Sequence, residues 1–113
     1  MNGEMNGKES NNDKSKAKKR YARVIAITGA SSGIGAGLAK HYAGMPNTFL
    51  ALAARGKERL VKVAKDCQKL GADVHAVAVD ISDRNAVASW LYGIDKQNEI
   101  DIVFANAGVD GRE

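Results

Sequence analysis

Cysteine, proline, aromatic residues and long apolar runs are all scarce in this 113-residue chain, and several of these scarcities exclude a class of protein. A single cysteine, Cys67, rules out an internal disulfide and a cysteine-based zinc cluster, and it fits a reducing compartment. The two histidines, His41 and His75, have no Cys, Asp or Glu at ligand spacing, so no metal site is expected. No run approaches the roughly 18 consecutive apolar residues that a membrane-spanning helix needs. The amino terminus lacks the apolar stretch of a secretory signal, and its acids and near-absence of large apolar side chains argue against a transit peptide. The resulting expectation is a cytoplasmic protein. No internal repeat is visible.

Charge is unevenly spread. Residues 1 to 20 hold six basic groups, five of them lysines, against three acids, Glu4, Glu9 and Asp13; the remainder is nearly balanced. A basic balance confined to a tail does not make the folded part a nucleic-acid binder. The run Lys14 to Arg20 could act as a nuclear address or touch an acidic surface, but its composition favours a solvated, disordered tail. Residues 1–20 are therefore expected to be tail and residues 21–113 to hold the structured domain.

From Tyr21 the pattern becomes periodic. Val24 to Ile27 is a short apolar run ending at Thr28-Gly29, which suits a buried parallel strand that stops at a turn. A helix is expected from Gly33 to Ala43, with Ile34, Leu38 and Tyr42 on one face and Gly44 and Pro46 as the stop. Phe49 to Ala54 reads as a second strand. Leu60, Val63, Ala64, Cys67 and Leu70 then mark an amphipathic helix closed by Gly71. A third strand ends at Asp80, a third helix turns Val87, Trp90, Leu91 and Ile94 inward, and Ile102 to Ala105 forms a fourth strand. Helical crossovers between apolar strands require parallel pairing, which gives an α/β fold with a Rossmann-type doubly wound parallel sheet. On such sheets ligands bind at the carboxyl ends of the strands.

The unusual residues cluster at those ends. After the first strand come Gly29, Gly33 and Gly35: the first permits a tight turn, the second lets backbone N–H groups approach a pyrophosphate, and the third lets helix and strand pack closely. The helix amino terminus then faces the phosphates, and Ser31 and Ser32 add hydroxyl donors. Strand before and helix after make this a specific dinucleotide signal.

Thr28-Gly29-x-x-x-Gly33-x-Gly35 resembles the cofactor motif of the short-chain dehydrogenase/reductase family, whose glycine spacing differs from the generic pattern. The resemblance runs from about residue 22 to 110, through Arg55, Asp80 with Asp83, and Asn106-Ala107-Gly108. It implies a cofactor site built from Gly29, Ser31, Ser32, Gly33, Ile34, Gly35, Arg55, Asp80, Ile81, Asn106, Ala107 and Gly108. Asp80 would accept a hydrogen bond from the adenine amino group with Ile81 beside the ring, although Asp80 or Ser82 could equally cap the third helix. Asn106 would steady the strand end and line the ribose. The family usually has two asparagines here and this chain has Ala105 before Asn106, which takes support from sheet bracing more than from cofactor contact.

After the second strand an acid would bind the ribose of NAD, whereas a guanidinium would fork onto the 2′-phosphate of NADP. Arg55 stands there with no acid at Ala54 or Arg55, so NADP is expected over NAD. Family members use a serine and a Tyr-x-x-x-Lys pair, the lysine lowering the phenol's pKa for acid–base work. Only Tyr92 and Lys96 fit those letters, on the third helix and ahead of the fourth strand, so no catalytic residue is expected within the chain. Cys67 is expected in the core.

The chain accordingly reads as the NADP(H)-binding portion of an oxidoreductase, truncated after the fourth strand, inactive alone, with a carbonyl or alcohol substrate only in a full-length form. The alternative is a non-catalytic dinucleotide-binding or interaction module. A homo-oligomer is left open.

Overall fold

The computed structural model describes residues 20–106; the expectations for residues 1–19 and for Ala107 and Gly108 lie outside them. Seven elements alternate along the chain: β1 (Arg23–Thr28), α1 (Gly33–Ala43), β2 (Thr48–Ala54), α2 (Lys57–Lys69), β3 (Asp73–Ala78), α3 (Arg84–Gln97) and β4 (Ile102–Ala105). The strands form one parallel sheet in the order β3-β2-β1-β4. The reversal of direction beside β1 is the switch point at which doubly wound sheets open a crevice.

The central strands are apolar on both faces because both are covered. Ile25 and Ile27 of β1 pack with Leu50 and Leu52 of β2 beneath α1 and α2, while Ala26 and Ala51 point to the opposite face under α3. Leu60, Val63 and Cys67 of α2 close the larger core. Leu70, expected on that stripe, is 51% exposed, because α2 ends at Lys69 with Leu70 as its C-cap and the chain reverses at Gly71 with φ +112°.

α1 departs further from its expected face. Its buried positions are Gly35, Ala39 and Ala43, while Ile34 is 63% exposed and Leu38 and Tyr42 are half-buried. The helix lies so close to the β1 turn that only the smallest side chains fit between them. Tyr42 instead flanks the contact and meets the Phe104 ring at 5.7 Å. α3 buries Ile94 alone, with Val87, Trp90 and Leu91 half-buried, so it is the more loosely seated layer.

β4 is tied to β1 beyond its ladder. Asp101 accepts from the Val24 N–H at 2.7 Å and its own N–H donates to the Val24 carbonyl at 2.8 Å. At the far edge Tyr21 donates to Asp73 at the start of β3, 2.7 Å away. Among the described residues no helix is long and apolar enough to cross a membrane, and no cluster of three metal-ligating side chains occurs.

Candidate functional site

Four strands deliver their carboxyl ends to one edge of the sheet, and the polar residues singled out in the sequence stand there. Leaving β1, Gly29 adopts φ 68° and Gly33 φ 59°, both in the left-handed region that penalises any Cβ. Between them the Ala30 N–H donates to the Ala53 carbonyl at 3.2 Å, tying the loop to β2, and Ser31 is buried. Ser32 is the N-cap of α1, yet its side chain makes no capping bond, and the first turn carries no acid. The N–H groups of that turn thus donate no bond to the Ser32 hydroxyl, and the positive end of the helix dipole lies at the same point. A Cβ built on Gly33 meets nothing within 4 Å, so the space before these donors is open.

Gly35 is the opposite case. A Cβ there would overlap the Gly29 carbonyl oxygen, with the Gly29 carbonyl carbon at 2.8 Å and Asn106 Nδ2 at 2.9 Å. The close packing of helix on turn that was read from the spacing is therefore a direct contact between backbones.

Asn106 joins the same point from β4. Its backbone N–H donates to Thr28 Oγ1 at 3.1 Å and its side-chain amide donates to the Gly29 carbonyl at 3.3 Å. With Ala105 before it, a single asparagine, Asn106, carries these bonds from the end of β4 to the glycine turn. The sequence pointed to Asn106 but not to these partners, since neither Thr28, 78 residues away, nor Gly29, 77 residues away, advertises a waiting acceptor.

At the ends of β2 and β3, the Val79 N–H donates to the Ala54 carbonyl at 2.9 Å, which keeps Asp80 near Arg55. Asp80 Oδ1 accepts from the Ser82 hydroxyl at 2.7 Å and from the Ser82 N–H at 3.0 Å. The Ser82 hydroxyl first, then its N–H and the Arg55 charge, hold the exposed carboxyl below its ordinary range. The cap of α3 is neither Asp80 nor Ser82. Asp83 fills that role, accepting from the Ala86 N–H at 3.1 Å. Half-buried Ile81 leads into an apolar groove of about 290 Å³ shared with Thr28, Val87, Leu91, Val103 and Ala105.

Other candidates stand apart. Cys67 is fully buried, and desolvation pushes its thiol up to about 11, which makes it a core residue and a poor nucleophile. Tyr92 is 66% exposed on α3, with the Lys96 ammonium over its ring 5.4 Å from the centroid. That pair lies on the outer surface of a crossover helix, away from the glycine turn.

A parallel sheet whose first strand turns through glycines into an uncapped helix, with Arg55, Asp80 and Asn106 at neighbouring strand ends, is a dinucleotide-binding fold. Residues 23–113 match the model of the short chain dehydrogenase family, and the chain belongs to that family. It is 38% identical over 96 residues to estradiol 17-beta-dehydrogenase 11 of Rattus norvegicus, covering 83% of this chain and 32% of that protein. It is also 38% identical over 95 residues to 11-beta-hydroxysteroid dehydrogenase-like 4A of Arabidopsis thaliana, covering 82% of this chain and 31% of the relative. The chain thus spans about a third of the length of the curated relatives it matches. Among solved structures, L-sorbose reductase from Gluconobacter frateurii, complexed with NADPH and L-sorbose, superposes with TM-score 0.69 at 33% identity, covering 79% of this chain and 34% of that one. NAD+-bound xylitol dehydrogenase superposes with TM-score 0.70 at 28% identity, covering 80% and 35%.

Proposed function

We propose that this chain is the NADP(H)-holding portion of a short-chain oxidoreductase, with the catalytic serine, tyrosine and lysine supplied by residues other than those described. The carrying observation is the cradle at the β1–α1 turn: left-handed glycines, open space at Gly33, and a helix amino terminus without a side-chain cap. These residues fit a pyrophosphate because they offer N–H donors and dipole with no side chain in the way. In this reading Gly29, Ser31, Ser32, Gly33, Ile34 and Gly35 hold the phosphates. Asp80 and Ile81 receive the adenine, Asn106 with Ala107 and Gly108 lines the ribose, and Arg55 pairs with the 2′-phosphate. The cofactor, when bound, would supply hydride transfer; the chain's own residues bind and orient it.

Arg55 supports NADP because it stands at the end of β2 with no acid before it to bind a ribose. The relatives' names span steroids, a polyol and a sugar, so the substrate is assigned only as a carbonyl or alcohol of a longer form. Fluorescence titration of the full chain with NADPH and NADH tests the reading. NADPH is expected to bind at least ~10-fold tighter, since charge-assisted hydrogen bonds contribute about 1.5–3 kcal/mol, and Arg55→Asp should abolish or reverse the preference. Equal affinities in the unaltered chain would overturn the role of Arg55, and binding of neither cofactor would overturn the site.

A further inference from the structure

Beside α3, over the amino-terminal half of the sheet, lies a second groove of about 280 Å³, lined by Phe49, His75, Ser89, Trp90, Gly93 and Ile94 with Gln97 at its margin. It shares no residue with the strand-end site. Two features of its wall weaken the protein without serving the fold. Gly93 sits in the interior of α3, its φ is not left-handed, and a Cβ built on it meets nothing within 4 Å. Neither backbone conformation nor crowding calls for glycine there, and glycine inside a helix is destabilising. Trp90 adds a buried indole N–H with no acceptor among the described residues, a condition that buried polar groups seldom keep.

We propose that this groove binds a small, neutral, planar molecule carrying a carbonyl acceptor, with the Trp90 indole N–H as donor and Gly93 keeping the wall low enough to admit the ring. The volume of about 280 Å³ lies just under the roughly 300 Å³ at which cavities for drug-sized ligands begin, which suits a single-ring molecule. Phe49 and Trp90 supply aromatic surface for a flat ring. No Asp or Glu lines the groove, so a cationic ligand would be left unpaired, and His75 is the one titratable side chain in its wall. Ser89 and Gln97 add neutral polar groups at the margin. The indole N–H is closed off from solvent, so the Trp90 ring must tilt toward the groove before an entering carbonyl can accept from it.

Trp90 is the only tryptophan, so one indole N–H resonance reports on this groove alone. Titrating the full 15N-labelled chain with benzamide is expected to shift that resonance downfield along a saturating curve. Gly93→Leu fills open space and should weaken the apparent affinity at least ~10-fold, whereas Gly93→Ala should retain binding. Ser89→Leu narrows the same groove from an exposed helix position and decides the matter if Gly93→Leu fails to fold. A linear shift without saturation overturns the proposal, as does an unchanged affinity in whichever leucine variant folds.

Discussion

At Gly35 one added carbon would enter the space of the Gly29 carbonyl and the Asn106 amide. Relief would require α1 to retreat from the turn, so Gly35→Ala is expected to destabilise the chain by about 1–3 kcal/mol in urea unfolding and to weaken dinucleotide binding in the same sample. Gly33→Ala should spare the packing and strain only the loop, because its Cβ would stand in open space. Ser82 gives a separate electrostatic test. Its hydroxyl is the leading cause of the lowered Asp80 carboxyl, so Ser82→Ala should move that pKa up toward 3.8 in a carboxyl NMR titration. A depressed carboxylate stabilises the fold above its unfolded pKa, and this contribution fades as pH falls through the folded value. The alanine variant should therefore be less acid-sensitive. Cys67 works at the other limb: its thiol is raised from 9.0 to about 11, so the folded state holds the proton more tightly. That stability is present below pH 9.0 and is lost as pH rises toward about 11, a decline that Cys67→Ala should remove from alkaline unfolding curves.

Among the elements, strands and crossover helices were legible because their apolar runs and 3.6-residue periods are strong local signals, and the helix span from Gly33 to Ala43 matches the structure. The face of α1 was not. Ile34, Leu38 and Tyr42 carry more hydrophobic weight than Gly35, Ala39 and Ala43, and local periodicity cannot register that the partner surface is backbone. The α3 cap was not legible for a related reason, since Asp80, Ser82 and Asp83 are all good N-cap types and only the observed bonds select Asp83. Asp83→Ala should cost about 1 kcal/mol and loosen α3 in particular, visible as faster amide exchange over residues 84 to 97 than in β1. The strand-end positions of Arg55, Asp80 and Asn106 were readable from the chain, whereas the partners of Asn106 and Asp101 lie far away in sequence and were not.

For the molecule as a whole, the described sheet has an outer strand with little to protect it. β4 has a neighbour on one side only, Ile102 is 39% exposed and Val103 47%, and neither Lys nor Pro interrupts the strand. Such edges recruit other chains. The isolated chain is expected to self-associate with rising concentration, and Val103→Lys should shift light scattering toward the monomer; equal scattering from both would count against this edge as the cause. Yet β4 is fastened at both ends, by Asp101 to Val24 and by Asn106 to the glycine turn. Because the Asn106 amide is bonded to Thr28 where the turn begins, its exchange rate doubles as a gauge of the loop's integrity. Whatever loosens β4 from outside slackens the glycine turn to which Asn106 is bonded, and a ligand seated on that turn should in turn slow exchange along the strand.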